Sequence, residues 1–232
     1  LAAEAAMNTS PWNYWKEDRT SPNARIGDAV RLIEGVVARN PAHPQASHLY
    51  IHLMENHADP TRAEAAADRL AKSAPSALGH LVHMPAHIYY RIGRYADSMQ
   101  ANVLAARADE QYLADVGDDG LYRYGYYPHN VHFLLSSAQM VGAMYSVASE
   151  SARLQRILDV ETAKALPWVQ AIHAAPAFAI AQFGSPEAIL ALNDQPSELA
   201  YVEAMRRYAR AVAYALQRDE AGFKSEIEAL DA

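Results

Sequence analysis

Apolar positions along this chain recur at steps of three and four, the period of an amphipathic helix. Ile26, Ala29, Val30, Ile33, Val36 and Val37 form one such stripe, which stops at Asn40-Pro41. Pro44 opens the next helix, which ends near Asp59-Pro60. An Ala-rich partner follows from Thr61 to Ala74, and Pro75 ends it. A third pair starts near Ser76, turns at Gly93-Arg94-Tyr95 and continues to Asp109. The alternation of helix and tight turn predicts an all-α helical-hairpin repeat array. Hairpins are expected over residues 44–75, 78–110, 128–158, 166–193 and 196–231, with an insert at 111–127, in a single domain covering 1–232.

Ile92-Gly93-Arg94-Tyr95-Ala96 places a small residue where two helices are expected to cross, an aromatic two positions later, and Ala101 and Ala105 on the contact face. This resembles a tetratricopeptide repeat. His80, His83 and Gly93 are matched 49 residues later by His129, His132 and Gly142, and Pro85 and Gly93 are matched 91 residues later by Pro176 and Gly184. Three longer phrases, from His48 to Glu55, from Gly79 to Tyr95 and from Tyr126 to Phe133, together with Ser10-Pro-Trp-Asn-Tyr-Trp15, resemble the middle-to-C-terminal part of a group of large bacterial tetratricopeptide-repeat proteins. The resemblance implies a TPR-like α-solenoid, a right-handed superhelix whose first helices line the concave face. It also implies a longer parent chain. It carries no activity with it. Leu1-Ala-Ala-Glu-Ala-Ala-Met7 reads as the tail of a helix, so the chain is expected to be a piece of a longer protein, and its compartment is not readable.

Composition narrows the function classes. A formal charge of −7 with 20 scattered basic residues gives no nucleic-acid footprint. No apolar run approaches the roughly 20 residues of a membrane span. Zero cysteines remove disulfides, thiolate metal ligands and thiol nucleophiles together. With no Gly-x-Ser-x-Gly and no glycine-rich phosphate loop, neither a serine hydrolase elbow nor nucleotide chemistry is indicated. Any metal must sit on nitrogen and oxygen.

Seven of the ten histidines fall in three groups: His48 with His52, then His80, His83 and His87, then His129 with His132. Spacings of three, four and seven put each group on one face of a helix. Neighbouring helices pack about 8–10 Å apart, so imidazoles from adjacent first helices can reach one ion. The metal candidates are therefore His48, His52, His83, His87, His129 and His132. Glu55, three residues after His52, is a candidate ligand or general base. His80, Tyr89, Tyr90, Tyr126, Tyr127 and Asn130 are candidate substrate contacts, and the tyrosines of the insert are a candidate lid. His43 is expected in a turn, His57 at a helix end and His173 in the core. Ligands without thiolate suit Zn, Cu or Fe, with enough imidazoles for two ions.

The expected function is a metal-dependent enzyme, hydrolytic or oxidative, with a small molecule or peptide in the concave groove. The alternative is a non-catalytic scaffold whose groove binds a peptide or protein partner.

Overall fold

Proline sets the start of many of these helices. It lacks the N–H that a first helical turn leaves unpaired, and its ring presets the backbone angle. Pro44, Pro60, Pro85, Pro128, Pro167 and Pro186 each stand in the first turn of a helix. The computed structural model describes residues 1–117 and 120–230. Asp118 and Asp119 of the expected insert 111–127, and the last residue of the expected hairpin 196–231, lie outside the described residues. The described residues are helical with no strand, and the chain divides into two compact units, Leu1–Asp115 and Val116–Ala232.

In the first unit α1 (Ala2–Met7) packs on α2 (Ile26–Arg39), α2 on α3 (Pro44–Met54), and α3 on α4 (Glu64–Ser73). Two short helices follow, α5 (Gly79–His83) and α6 (Pro85–Arg91), and then the long α7 (Tyr95–Val116). Helix α6 packs on both α3 and α4. The sequence leaves open whether Pro85 kinks one helix or begins another. It begins one: α5 ends at His83 and Pro85 takes the first position of α6.

Helix α3 is buried on most of its surface, with Leu49, Tyr50, Ile51, His52, Leu53 and Met54 all in the interior. A helix apolar all round belongs at a core, so its histidines stand in a central element. Ile51, Leu53, Met54, Leu70, Met84 and Ile88 are almost completely withdrawn from solvent. Each such side chain contributes roughly 1.5–3 kcal/mol of burial free energy.

Residues 8–25 make no regular element beyond an antiparallel bridge between Trp15 and Pro22. They form a strap over the end of α3. Trp15 Nε1 donates to the Leu53 carbonyl at 2.7 Å, and Arg19 donates to the carbonyls of Asn56 and His57. The Trp15 bond satisfies a carbonyl in the last turn of α3, and the Arg19 bonds hold the turn that follows it.

In the second unit a π-helical turn, Tyr122–Tyr126, runs directly into α8 (Tyr127–Val141), which pairs with α9 (Met144–Ile157). Helix α10 (Val160–Ala165) lies against α11 (Pro167–Phe183), and α11 packs on α8, α9 and α13 (Ala200–Gln217). Helices α12 (Pro186–Leu192) and α14 (Glu220–Leu230) complete the unit against α13. The stretch expected as an insert is helical at both ends, since α7 runs to Val116 and helix resumes at Leu121.

The glycine expected at a helix crossing has a different role. Gly93 has φ +84° and a Cβ there would meet nothing within 4 Å, so the left-handed turn requires it and close packing does not. Gly142, its match 49 residues on, closes α8 in the same left-handed conformation. Gly184 is the close-approach case, where a Cβ would stand 2.7 Å from the Ile180 carbonyl oxygen.

Candidate metal centre

Five histidines of the first unit gather where α3 meets α5 and α6. The rings of His48 and His52 lie 4.9 Å apart, one turn from each other on α3. His80 reaches them from α5, its ring 5.0 Å from His48 and stacked 6.2 Å from His52. His48, His52 and His80 each offer a nitrogen, and these atoms all lie within 4.8 Å of one another. The Nε2 atoms of His48 and His80 are 3.2 Å apart. Two ligands on one ion at bonds of about 2.0–2.1 Å stand about 2.9 Å apart at a right angle and about 3.3 Å apart at the tetrahedral angle. The observed separation falls in that range.

His83 and His87 continue the cluster. Their Nε2 atoms are 2.8 Å apart, and the His87 ring lies 5.6 Å from that of His52. The break at Met84 does not disturb the face, because the spacings of three, four and seven survive it.

A carboxylate ties the two helices together. Glu55 Oε1 accepts from His52 Nδ1 at 2.9 Å and Oε2 accepts from His87 Nδ1 at 2.7 Å. Its side chain is only 13% exposed. Burial pushes this carboxyl up. The charge of His87 and the hydrogen bonds from His52 and His87 outweigh burial and hold it well below the ordinary carboxylate range. A carboxylate only accepts, so both Nδ1 atoms carry the proton and each Nε2 presents a lone pair when its ring is neutral. His48 points the same way, with Nδ1 3.1 Å from the Gln45 side-chain oxygen. Burial, reinforced by the surrounding histidines, pushes His48 down to about 3 and His80 down to about 4. Neutral imidazoles with converging lone pairs are what a transition metal binds, and a carboxylate behind the ring is the usual device that orients them.

The other candidates are placed as follows. Tyr89 stands two residues after His87, some 200° around the helix. Its hydroxyl donates to Asp68 and the Arg94 guanidinium lies 4.2 Å over its ring, so it serves the contact with α4 and not the imidazole face. Tyr90 packs edge-on to Tyr95. His129, His132, Asn130, Tyr126 and Tyr127 belong to the second unit. There His129 packs on Phe133, burial pushes His132 down to about 4, and Asn130 and Tyr127 are buried. The Tyr127 hydroxyl accepts from Arg153, while Tyr126 is exposed. His43 caps α3 by accepting from the Ala46 N–H, and His57 is buried under the Trp15 ring. His173 is half-buried, with Nε2 3.3 Å from the Asp159 carbonyl oxygen.

Two residues escape sequence reasoning. Asn102, from α7, is fully buried and accepts from His83 Nδ1 at 2.6 Å. Trp12 lies edge-on to His52 with ring centroids 5.2 Å apart, is two-thirds exposed, and holds φ +62°. A bulky residue in the left-handed region is an outlier that marks a constrained, often functional position. An asparagine on a helix face carries no sequence signal for a histidine partner. Trp12 is visible only as a member of an aromatic-rich phrase.

No helix among the described residues is long and apolar enough to cross a membrane. Comparisons with protein-family models, curated proteins and solved structures find no match to this chain.

Proposed function

We propose that the protein is a metal-dependent enzyme of hydrolytic or oxidative type, built on a TPR-like helical-hairpin array, with a divalent transition-metal ion held by His48, His52 and His80. The observation that carries the reading is the 3.2 Å approach of the His48 and His80 Nε2 atoms, within a triad whose nitrogens converge. The all-imidazole set suits Zn, Cu or Fe. Such an ion acts as a Lewis acid toward a carbonyl or phosphoryl oxygen, acidifies the water it holds, or, as Cu or Fe, engages dioxygen.

In this reading Glu55 is an orienting residue and neither ligand nor base, because both its oxygens are engaged by His52 and His87. His48 and His80 are half-buried, which leaves the triad one side open to solvent. Trp12 stands at the centre as an exposed aromatic wall for a small-molecule substrate.

Elemental analysis after metal supplementation tests the site. At least one equivalent of Zn, Cu or Fe is expected, falling sharply in His48→Gln/His80→Gln, and less than a tenth of an equivalent ends the reading. Turnover is tested with activated carboxyl and phosphate esters and with dioxygen uptake under a reductant. A loaded protein inert in every assay removes the enzyme and leaves a metal-binding protein.

The scaffold reading has one observation of its own. In the second unit Tyr208, Leu216, Phe223 and Ile227 expose a continuous apolar hollow between α13 and α14, the kind of surface a partner helix covers.

A further inference from the structure

His83 and His87 form an arrangement that the triad of His48, His52 and His80 does not explain. Asn102 Nδ2 donates to the Ser98 carbonyl at 2.8 Å, which turns Asn102 Oδ1 toward His83 Nδ1 at 2.6 Å. Amide oxygen only accepts, so His83 Nδ1 carries the proton. His87 Nδ1 is committed to Glu55 at 2.7 Å. With both rings neutral, two lone pairs face each other across the 2.8 Å between the Nε2 atoms. That contact is repulsive unless something positive resolves it, and the candidates are one shared proton or a metal ion. The separation is close to the roughly 2.9 Å of two nitrogen ligands at a right angle on one ion. His83 is completely buried and His87 nearly so. Each ring is locked from behind, one by an amide and one by a carboxylate, as metal-binding imidazoles are. The carboxylate behind His87 suits a shared proton as well, so metal stoichiometry separates the two.

We propose that His83 and His87 form a second cation position, taking a divalent transition-metal ion beside the one held by His48, His52 and His80. The inference rests on the reading of that first position as a metal site. Glu55 links the two, since one oxygen orients His52 of the first and the other orients His87 of the second. His83 and His87 are the more deeply buried pair, whereas His48 and His80 of the first position are half-buried.

The test is metal stoichiometry on the full chain, stripped with a chelator and titrated with Co2+ and with Zn2+. Two equivalents are expected. His83→Gln/His87→Gln is expected to keep one, and His48→Gln/His80→Gln to lose the other. A wild-type protein that saturates at one equivalent, unchanged in the His83/His87 variant, overturns the second position and leaves the first standing. In that case the pair shares a proton. Two equivalents that both survive the His83/His87 variant place the second ion elsewhere and also overturn the inference. No binding at all defeats both readings. Should the double variant fail to fold by circular dichroism, the wild-type stoichiometry decides by itself, and His87→Gln alone supplies the comparison.

Discussion

Asn102 Oδ1 accepts a 2.6 Å hydrogen bond from His83 Nδ1, and the polarity of that bond is set four residues away, where Asn102 Nδ2 donates to the Ser98 carbonyl. The buried amide selects the His83 tautomer and aims its Nε2 at His87. Replacing it by an apolar side chain, Asn102→Leu, is expected to weaken the metal equivalent held by His83 and His87 by about 10–100-fold, the usual effect of losing an orienting partner. Asn102→Asp keeps the acceptor and should retain most of the affinity. Competition against a chromophoric chelator reads both. Equal affinity in the leucine variant would remove Asn102 from any orienting role.

Glu55 accepts from two histidines on different helices. Glutamine offers one acceptor oxygen and a donor NH2, so Glu55→Gln must face one of the two Nδ1 atoms with a donor. The variant is expected to bind metal at least about 10-fold more weakly. It should also unfold at lower denaturant in the metal-free state, because a buried donor is left facing a donor. Urea titrations with and without metal separate the two effects.

Acid should weaken the metal-free fold through the same cluster. His48 is pushed down to about 3 and His80 to about 4, against 6.5 for a free side chain. Between those values the unfolded chain binds protons that the folded chain refuses, so stability rises with pH there. Loss is expected to begin as pH falls through about 6.5 and to continue toward about 3, with no change from these two groups above about 7.5. Urea midpoints measured across that range check it, and His48→Gln/His80→Gln should flatten the slope. A midpoint that rises on acidification contradicts the sign.

Trp12 stands 5.2 Å from the His52 ring. A paramagnetic ion such as Cu2+ at the His48, His52 and His80 position should quench its emission, while Zn2+ should not. Trp12→Phe is expected to remove the largest share of the Cu2+-dependent quench, leaving the signals of Trp15 and Trp168. Quenching that persists in full in the variant would move the ion away from Trp12.

Gly79 opens α5 against α7. A Cβ there would collide with Asp109 Oδ1 and stand 3.1 Å from the Ala105 carbonyl oxygen. Gly79→Ala is expected to lower stability by about 1–3 kcal/mol through overpacking. It should also weaken metal binding, because α5 carries His80 and His83. Thermal unfolding together with the stoichiometry measurement gives both numbers. A fully stable variant with intact binding shows that α7 gives way without moving the histidines.

Most helix positions are legible in the sequence because their signals are local. The stripe from Ile26 to Val37 and the stop at Asn40-Pro41 correspond to α2, which ends at Arg39. Pro44 does start α3, and the turn at Gly93 does separate α6 from α7. The histidine spacing is equally local, and it identified His48, His52, His83 and His87 as sharing faces. Where the reading fell short, the deciding contact lies far along the chain. Tyr89 follows the histidines in sequence, yet Asp68 and Arg94 hold it on the α4 side.

The sequence by itself determined an all-helical chain without cysteine, and a periodic placement of imidazoles, since periodicity and composition are properties of neighbours a few residues apart. Which nitrogens face one another was decided only by tertiary structure. The packing of α6 on α3 brings Glu55 between His52 and His87, and the course of α7 delivers Asn102 to His83. Those contacts join residues 19 and 32 positions apart, and no local pattern encodes the direction in which a ring proton points.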